Sequence, residues 1–239
     1  MISEKRFSLS HSAFWNSLLP MEEPYIRTRN VRLCRFAAPL YSLVPPDQRG
    51  LVNECAFLLF AASLRLSVPV PDLPENLISQ CASEALAYIA KMPHSSGLPP
   101  QPMGKYGLRE AATVAKSLSA FFSGRPIRNL LAKPSFPGCG WLDEAVGDVL
   151  GDYTLFEVKA GERQFRGADI RQLLCYCALN FSIKKYDIKT VCLVNPRSGI
   201  YLEDDLETLC MTTAGMTAAV VLSEIVNYIA EPFSRYRTG

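Results

Sequence analysis

Hydrophobic positions in the first half of the chain recur with the spacing of buried or amphipathic helices. Residues 50–66 (GLVNECAFLLFAASLRL) are apolar almost all round, which predicts a helix buried on most sides. Residues 74–92 begin with a proline and continue with alanine-rich helix formers, and residues 108–124 end at a glycine. Residues 11–20 form a shorter segment of the same kind. Residues 1–125 are therefore predicted to be mainly helical.

The pattern changes after Pro137, where short β-branched segments replace the helical spacing. The predicted order there is strand, strand, helix, strand, strand, helix. These elements cover residues 139–150, 153–160, 167–181, 188–195, 199–204 and 217–231. The order indicates an α/β core over 135–235, joined to the helical N-terminal part in a single domain, 1–239. Only residues 91–107, rich in proline, glycine and serine, resemble a linker.

Composition is that of a globular protein: 49% of the 239 residues are hydrophobic and the formal net charge is +2. This charge neither requires nor excludes a polyanionic partner. The bases are clustered, however, between Arg27 and Arg35 and again between Lys105 and Lys133. Each cluster could face phosphates, or it could be the solvated face of a helix.

The first ten residues are polar and lack the apolar segment of a signal peptide. The most apolar run, CAFLLFAASL, is too short to span a bilayer. Eight cysteines are scattered along the chain without any C-x-x-C spacing, which indicates reduced core residues and not a zinc site. We therefore expect a cytoplasmic protein that does not associate with membranes.

Residues 147–161 (GDVLGDYTLFEVKAG) read as two apolar strands around a turn that contains Asp152, and three further charged side chains interrupt the strands. They are Asp148, Glu157 and Lys159. Burying charge is costly unless the charge is paired or holds a metal. Two carboxylates beside a lysine suit Mg²⁺, which takes oxygen ligands. An ion pair between Glu157 and Lys159 on an exposed edge strand is the structural alternative, and the charges alone leave both interpretations open.

A hairpin would place the three charges on one side of the sheet. If Gly151-Asp152 forms a two-residue turn, Asp148 lies opposite Leu155, and Val146 lies opposite Glu157. Opposite residues share a face, and side chains alternate along each strand. The two carboxylates are then diagonal neighbours, near enough to share one cation.

These residues resemble the signature of the PD-(D/E)XK nuclease superfamily, an Asp at the end of one strand followed by Glu-x-Lys on the next. Here the signature is Asp148, then Glu157, Val158 and Lys159. Gly147 stands where the proline that names the motif is found. The resemblance implies a restriction-endonuclease-like core, with a mixed central β-sheet flanked by helices.

The segment QLLCY, residues 172–176, resembles the Gln-x-x-x-Tyr element of the RecB-like branch of this superfamily. A spacing of four places Gln172 and Tyr176 on one helical face. The resemblance covers about residues 137–200. It implies that Lys159 assists the attacking water, while Gln172 and Tyr176 orient the lysine and the phosphate.

The resemblance also implies a metal cofactor, Mg²⁺ or Mn²⁺, held by Asp148 and Glu157 with the Val158 carbonyl as a further ligand. RecB-like members carry another metal ligand on an early core helix. Glu54 is the best candidate for that position, because it is the only acid between Asp47 and Asp72. A glutamate near a helix start can equally serve as a cap or reach out to solvent.

The implied function is metal-dependent hydrolysis of phosphodiester bonds, expected in DNA, within bacterial DNA processing or defence against foreign DNA such as viruses. One alternative is a catalytically silent nuclease-fold subunit that binds DNA or a partner protein. Another is an α/β protein with no role on nucleic acid. A separate ATPase, helicase or defence subunit is a possible partner, and so is a second copy of the chain.

Five basic residues are candidates for contact with DNA phosphates, and a solvated role is the alternative for each. They are Arg166, Arg171, Lys105, Arg125 and Arg128. The only histidines, His11 and His94, lie far from the motif in sequence, so we expect no histidine general base.

Overall fold

The computed structural model describes residues 1–92 and 100–231, and these ranges contain nine α-helices and eight strands. The helices are α1 (Glu4–Leu9), α2 (Ser12–Leu18), α3 (Glu22–Val31), α4 (Arg49–Leu66), α5 (Glu75–Ile89), α6 (Lys105–Ser123), α7 (Gly167–Ile183), α8 (Leu206–Ala214) and α9 (Ala218–Ala230). The strands are β1 (Cys34–Arg35), β2 (Leu130–Ala132), β3 (Ser135–Phe136), β4 (Ala145–Val146), β5 (Val149–Gly151), β6 (Thr154–Val158), β7 (Thr190–Asn195) and β8 (Ile200–Asp205).

Six strands form one mixed sheet in the order β1-β8-β7-β6-β5-β2. Strands β6 and β7 run parallel and are connected through α7, whereas the other neighbouring pairs in this sheet are antiparallel. Strands β3 and β4 pair separately. The prediction of an α/β fold with a mixed central sheet flanked by helices is confirmed.

Alternation along the strands divides the core into two halves, one on each face of the sheet. Leu155 of β6 and Leu193 of β7 pack with residues of α1, α2, α3, α7, α8 and α9. Phe156 and Val194, their neighbours in sequence, pack with residues of α4, α5 and α6. The helical N-terminal part therefore covers both faces of the sheet and does not form a layer of its own.

Most long elements lie where the hydrophobic pattern predicts them, but short ones were missed. The missed elements are α1, α3, α8, β1, β2 and β3. In the predicted linker, residues 93–99 lie outside the described residues, and α6 begins already at Lys105.

The predicted strand 139–150 contains two short strands, β4 and β5, separated by Gly147 and Asp148. The Gly147 N–H donates to the Pro134 carbonyl at 2.9 Å, a bond that a proline could not make. A Cβ at Gly147 would also lie 3.1 Å from the Phe136 ring. The first contact excludes proline at position 147, and the second favours glycine there.

The predicted register of the hairpin is wrong by two residues. Gly151 pairs with Thr154 and Leu150 with Leu155, so the turn residues are Asp152 and Tyr153. The Asp152 carboxylate accepts hydrogen bonds from the backbone N–H groups of residues 128 and 129. The backbone φ of Asp152 is 48°, a left-handed value. Gly151 lies within β5, where a Cβ would lie 3.0 Å from the Leu130 side chain. A shift of two leaves every side chain on its predicted face.

Within the described ranges, no single helix is long and apolar enough to cross a membrane, although α8 and α9 together meet these criteria across a 72° bend. All eight cysteines are free thiols. His11 packs against Trp141, and His94 lies outside the described residues.

Candidate active site

The charged residues of the motif meet at one end of the β5–β6 hairpin. Asp148 directly precedes β5, Glu157 lies in β6, and Lys159 follows β6. The Val158 N–H donates to Asp148 Oδ2 at 2.7 Å, and Lys159 Nζ donates to Glu157 Oε1 at 2.9 Å. The observed register, extended by one residue, sets Asp148 directly opposite Glu157. The three side chains therefore lie on one side of the sheet, as the sequence predicts.

Helix α7 adds the glutamine and the tyrosine. Lys159 Nζ donates to Gln172 Oε1 at 2.6 Å, and Gln172 Nε2 donates to the Tyr176 hydroxyl at 2.9 Å. Both side chains are buried, at 6% and 2% exposure. Gln172 thus fixes the lysine head group directly, whereas Tyr176 acts on it through Gln172.

Glu4 is a site residue that the sequence interpretation missed. Its Oε1 lies 3.2 Å from Gln172 Nε2 and 3.4 Å from the Tyr176 hydroxyl. Helix α1 brings it there by packing against α7. Ser3 caps this helix, and a serine is a local signal of a helix start. No local signal reveals the contact between α1 and α7.

Asp169 on the first turn of α7 was also missed. It is buried, and its carboxylate accepts two hydrogen bonds of 2.7 Å from Arg163. Lys159 Nζ lies 3.6 Å from the same carboxylate. Burial alone would raise the pKa of Asp169, but the bonds from Arg163 and the charge of Lys159 hold it below its ordinary value. Asp169 is therefore a fixed negative charge behind the lysine.

The two motif carboxyls have raised pKa values. Burial is the main cause for both, and the negative charge of Glu157 raises the pKa of Asp148 further. The charge of Lys159 opposes the shift at Glu157 without cancelling it. The pair therefore holds protons more tightly in the folded protein than in the unfolded chain.

The lysine and the tyrosine keep their protons. Burial would lower the pKa of Lys159, but Glu157 and Asp169 together raise it above its ordinary value. Burial also raises the pKa of Tyr176, as do the negative charges of Glu157 and Glu4. Lys159 is therefore an ammonium and Tyr176 a neutral phenol at physiological pH, and both act as donors.

The donor set fits a hard cation that keeps other ligands as well. Glu157 Oε2 is buried and has no hydrogen-bond partner among the described residues, and the neighbouring acids repel one another. In the same residues, no group of three or more His, Cys, Asp or Glu side chains is arranged to hold a metal alone. Mg²⁺ needs only one or two carboxylates when substrate oxygens and waters complete its shell.

Glu54 of α4 has an electrostatic effect on Asp148. Burial raises its pKa, the positive charges of Lys133 and Lys5 lower it, and its own charge contributes to the raised pKa of Asp148. Glu54 is thus within electrostatic reach of Asp148, on the opposite side of the site from α7.

Replacing Asp148 with asparagine should stabilise the protein in the presence of a chelator. The folded state binds protons at this pair more tightly than the unfolded chain does. The wild-type protein therefore loses free energy of unfolding as the pH rises through the raised pKa values of Asp148 and Glu157 in the folded state. The substitution removes the buried charge and keeps an oxygen for the Val158 N–H. We expect Tm near neutral pH to rise by about 2–4 °C, equivalent to about 1 kcal/mol in a chain of this size.

Thermal unfolding between about pH 5 and 8 measures this effect. Glu144→Gln, an exposed acid nearby, is the matched control and should leave Tm unchanged. A lower Tm for Asp148→Asn at neutral pH would show that the charge is stabilising.

The five candidate DNA-binding bases lie in two kinds of surroundings. Arg171 forms an ion pair with Glu22, with Nε 2.8 Å from Oε2. Arg125 pairs with Glu203 and lies over the rings of Phe121 and Tyr201 on the other face of the sheet. The remaining three are exposed: Arg166, Lys105 and Arg128.

A buried polar network fixes the chain directly after Lys159. Arg197 Nε donates to the Ala160 carbonyl at 3.1 Å, and Nη1 lies 2.6 Å from Glu110 Oε1. Asn53 binds both Arg197 and the same carbonyl. Arg197 and Glu110 are each only 2% exposed. The backbone that carries Lys159 is therefore held from the far face of the sheet.

No family model, no curated protein and no solved structure matches this chain. The structure itself defines the class: an α/β protein with a mixed sheet and a cluster of acids around one lysine.

Proposed function

We propose that this protein is a metal-dependent nuclease of the PD-(D/E)XK type, in the RecB-like branch, that hydrolyses phosphodiester bonds of DNA. The antiparallel strands β5 and β6, followed by α7 and the parallel strand β7, support a restriction-endonuclease-like core. All five residues of the motif lie in one site, although they come from strand β6, from the positions just before β5 and just after β6, and from helix α7.

The observation that carries the proposal is the setting of Lys159. Its Nζ lies 2.9 Å from Glu157 Oε1 and 2.6 Å from Gln172 Oε1. A simple surface ion pair would not need a buried glutamine held in turn by a buried tyrosine. The cost of burying these polar groups favours a functional role for them.

The hydrolysis needs an attacking water, stabilisation of negative charge on the phosphate and a proton for the leaving oxygen. The Lys159 ammonium can donate to the water or to a phosphate oxygen, and Gln172 limits its movement. Asp169 keeps the ammonium charged. As an ammonium, Lys159 can position the water and stabilise the negative charge that develops on the phosphate.

The groups that would hold Mg²⁺ or Mn²⁺ are the carboxylates of Asp148 and Glu157, with the Val158 carbonyl as a further oxygen. When bound, the cation polarises the phosphate and lowers the pKa of water. Glu54 and Glu4 are further acids on two sides of the pair.

The proposed setting is the cytoplasm of a bacterium, where the free thiols would stay reduced. Roles in DNA processing or defence against foreign DNA, and partners such as a separate ATPase or helicase or a second copy of the chain, stay predictions.

The proposal is tested by incubating purified protein with supercoiled plasmid and with labelled single-stranded and double-stranded oligonucleotides. We expect cleavage in Mg²⁺ or Mn²⁺ and none in a chelator. The double variant Asp148→Asn/Glu157→Gln, purified in the same way, should show no cleavage, which excludes a contaminating nuclease.

Glu144→Gln should cleave like the wild type, because this acid is exposed and outside the site. Binding of DNA without cleavage in any metal would contradict the proposal and favour a catalytically silent subunit. Absence of both would favour a protein with no role on nucleic acid.

A further inference from the structure

A groove of about 460 Å³ lies between α4, α5 and the edge strand β2. Its volume is in the range of sites that bind small organic groups, roughly 300–1,000 Å³. Most of its wall is aliphatic, with Leu58, Ala61, Leu77, Leu130 and Leu131 among the lining residues. Leu131 is 46% exposed, so the wall is open to solvent and to a ligand.

One residue of the groove wall is hydrogen-bonded to the backbone of the candidate active site. Lys133, one of the lining residues, donates its backbone N–H to the Asp148 carbonyl at 2.8 Å. Lys133 also has a φ of 57°, an uncommon value for a residue with a side chain and one that often marks ligand sites. A phosphate held at Asp148 through a bound cation would therefore lie near one residue of the groove wall.

Two cations and one acid line the groove. Arg65 and Lys133 both lower the pKa of Cys81 against the effect of its burial and of Glu84, so the two cations lie near the same part of the floor. Glu84 accepts a hydrogen bond of 2.8 Å from Gln80. The groove thus combines apolar walls with a net positive charge.

We propose that this groove receives one unpaired nucleotide of the substrate, the one that adjoins the phosphate to be cut. The inference rests on the proposed function and names its substrate class: single-stranded DNA or frayed strand ends. Apolar walls suit the face of a base, and cations suit the phosphates on either side. A base held in a duplex cannot enter without being unpaired. Strand β2 is only three residues long, too short to template an added peptide strand.

Two substitutions change the groove and leave the carboxylates of the candidate active site in place. Arg65→Glu reverses an exposed charge, and Ala61→Phe fills the space. Arg27→Glu, an exposed arginine on α3, is the control for a general change of charge. Circular dichroism and thermal unfolding check that each variant folds.

Binding of a fluorescent oligothymidylate and of a duplex of equal length is measured by anisotropy in chelator. Cleavage of both is then measured in Mg²⁺. We expect the wild type to prefer the single strand. Arg65→Glu and Ala61→Phe should each weaken its binding and raise KM about tenfold, with Arg27→Glu close to wild type.

Equal binding and cleavage of the single strand by the wild type and both groove variants would overturn the inference and leave the nuclease assignment intact. A preference for intact duplex would overturn it as well. Failure of the wild type to cut any substrate would instead overturn the proposed function, and with it the nucleotide as the occupant of the groove.

Discussion

Lys159→Met should lower the rate of DNA cleavage by about 10²–10³-fold, the loss found when one preorganised donor to a developing negative charge is removed. The methionine side chain is close in length to lysine but carries no charge. Glu157 and Gln172 each lose a hydrogen-bond donor. Single-turnover cleavage of a labelled single strand measures the rate, and calorimetric titration with Mn²⁺ measures metal affinity.

The two measurements separate the roles of the lysine and the acids. Lys159→Met should retain Mn²⁺ binding, since the substitution removes a positive charge that competes with the metal for Glu157. Glu157→Gln should weaken Mn²⁺ binding. Lys189→Met, at an exposed ion pair with Asp187, is the matched control and should leave both quantities unchanged. Cleavage by Lys159→Met at close to the wild-type rate would contradict a catalytic role.

Arg197→Met should reduce the free energy of unfolding by about 3–5 kcal/mol, the usual cost of removing one partner from a buried ion pair. Glu110 would keep only the donors from Ser42 and the Leu43 N–H. The Ala160 carbonyl would lose one of its two side-chain donors. Denaturation in urea, followed by circular dichroism, measures the loss.

The matched comparison is again Lys189→Met, because its side chain and that of Asp187 are 61% and 63% exposed. Loss of such a pair costs about 0–1 kcal/mol. The double variant Arg197→Met/Glu110→Gln should recover part of the stability, since no uncompensated charge stays buried. A cost below about 1 kcal/mol for Arg197→Met would show that Glu110 does not depend on the pair.

The sequence predicts those parts of the candidate site that depend on spacing within one hairpin or one helix. Spacing along one hairpin sets Asp148, Glu157 and Lys159 on one side, and an error of two in the register does not change the face. Helical spacing does the same for Gln172 and Tyr176. Such periodic features survive small errors in the position of a turn.

Contacts between distant segments could not be predicted in this way. Glu4 reaches Gln172 only because α1 packs on α7, and no local pattern encodes that docking. Gly151 looked like a turn residue, but it lies within β5, where Leu130 from another strand approaches closely. In the sequence, Arg197 lies between two predicted strands and no local pattern marks its partner. That partner, Glu110, lies on α6, in the first half of the chain.

The packing of α1 against α7 has a consequence for biosynthesis. Contacts between segments so far apart in the chain form late in folding, because long loops must close first. A nascent chain that has not yet emerged beyond α7 carries Glu4 and Asp148 but lacks Gln172 and Tyr176. The arrangement of Lys159 with Gln172, Tyr176 and Glu4 therefore cannot assemble on the ribosome before most of the polypeptide has been made.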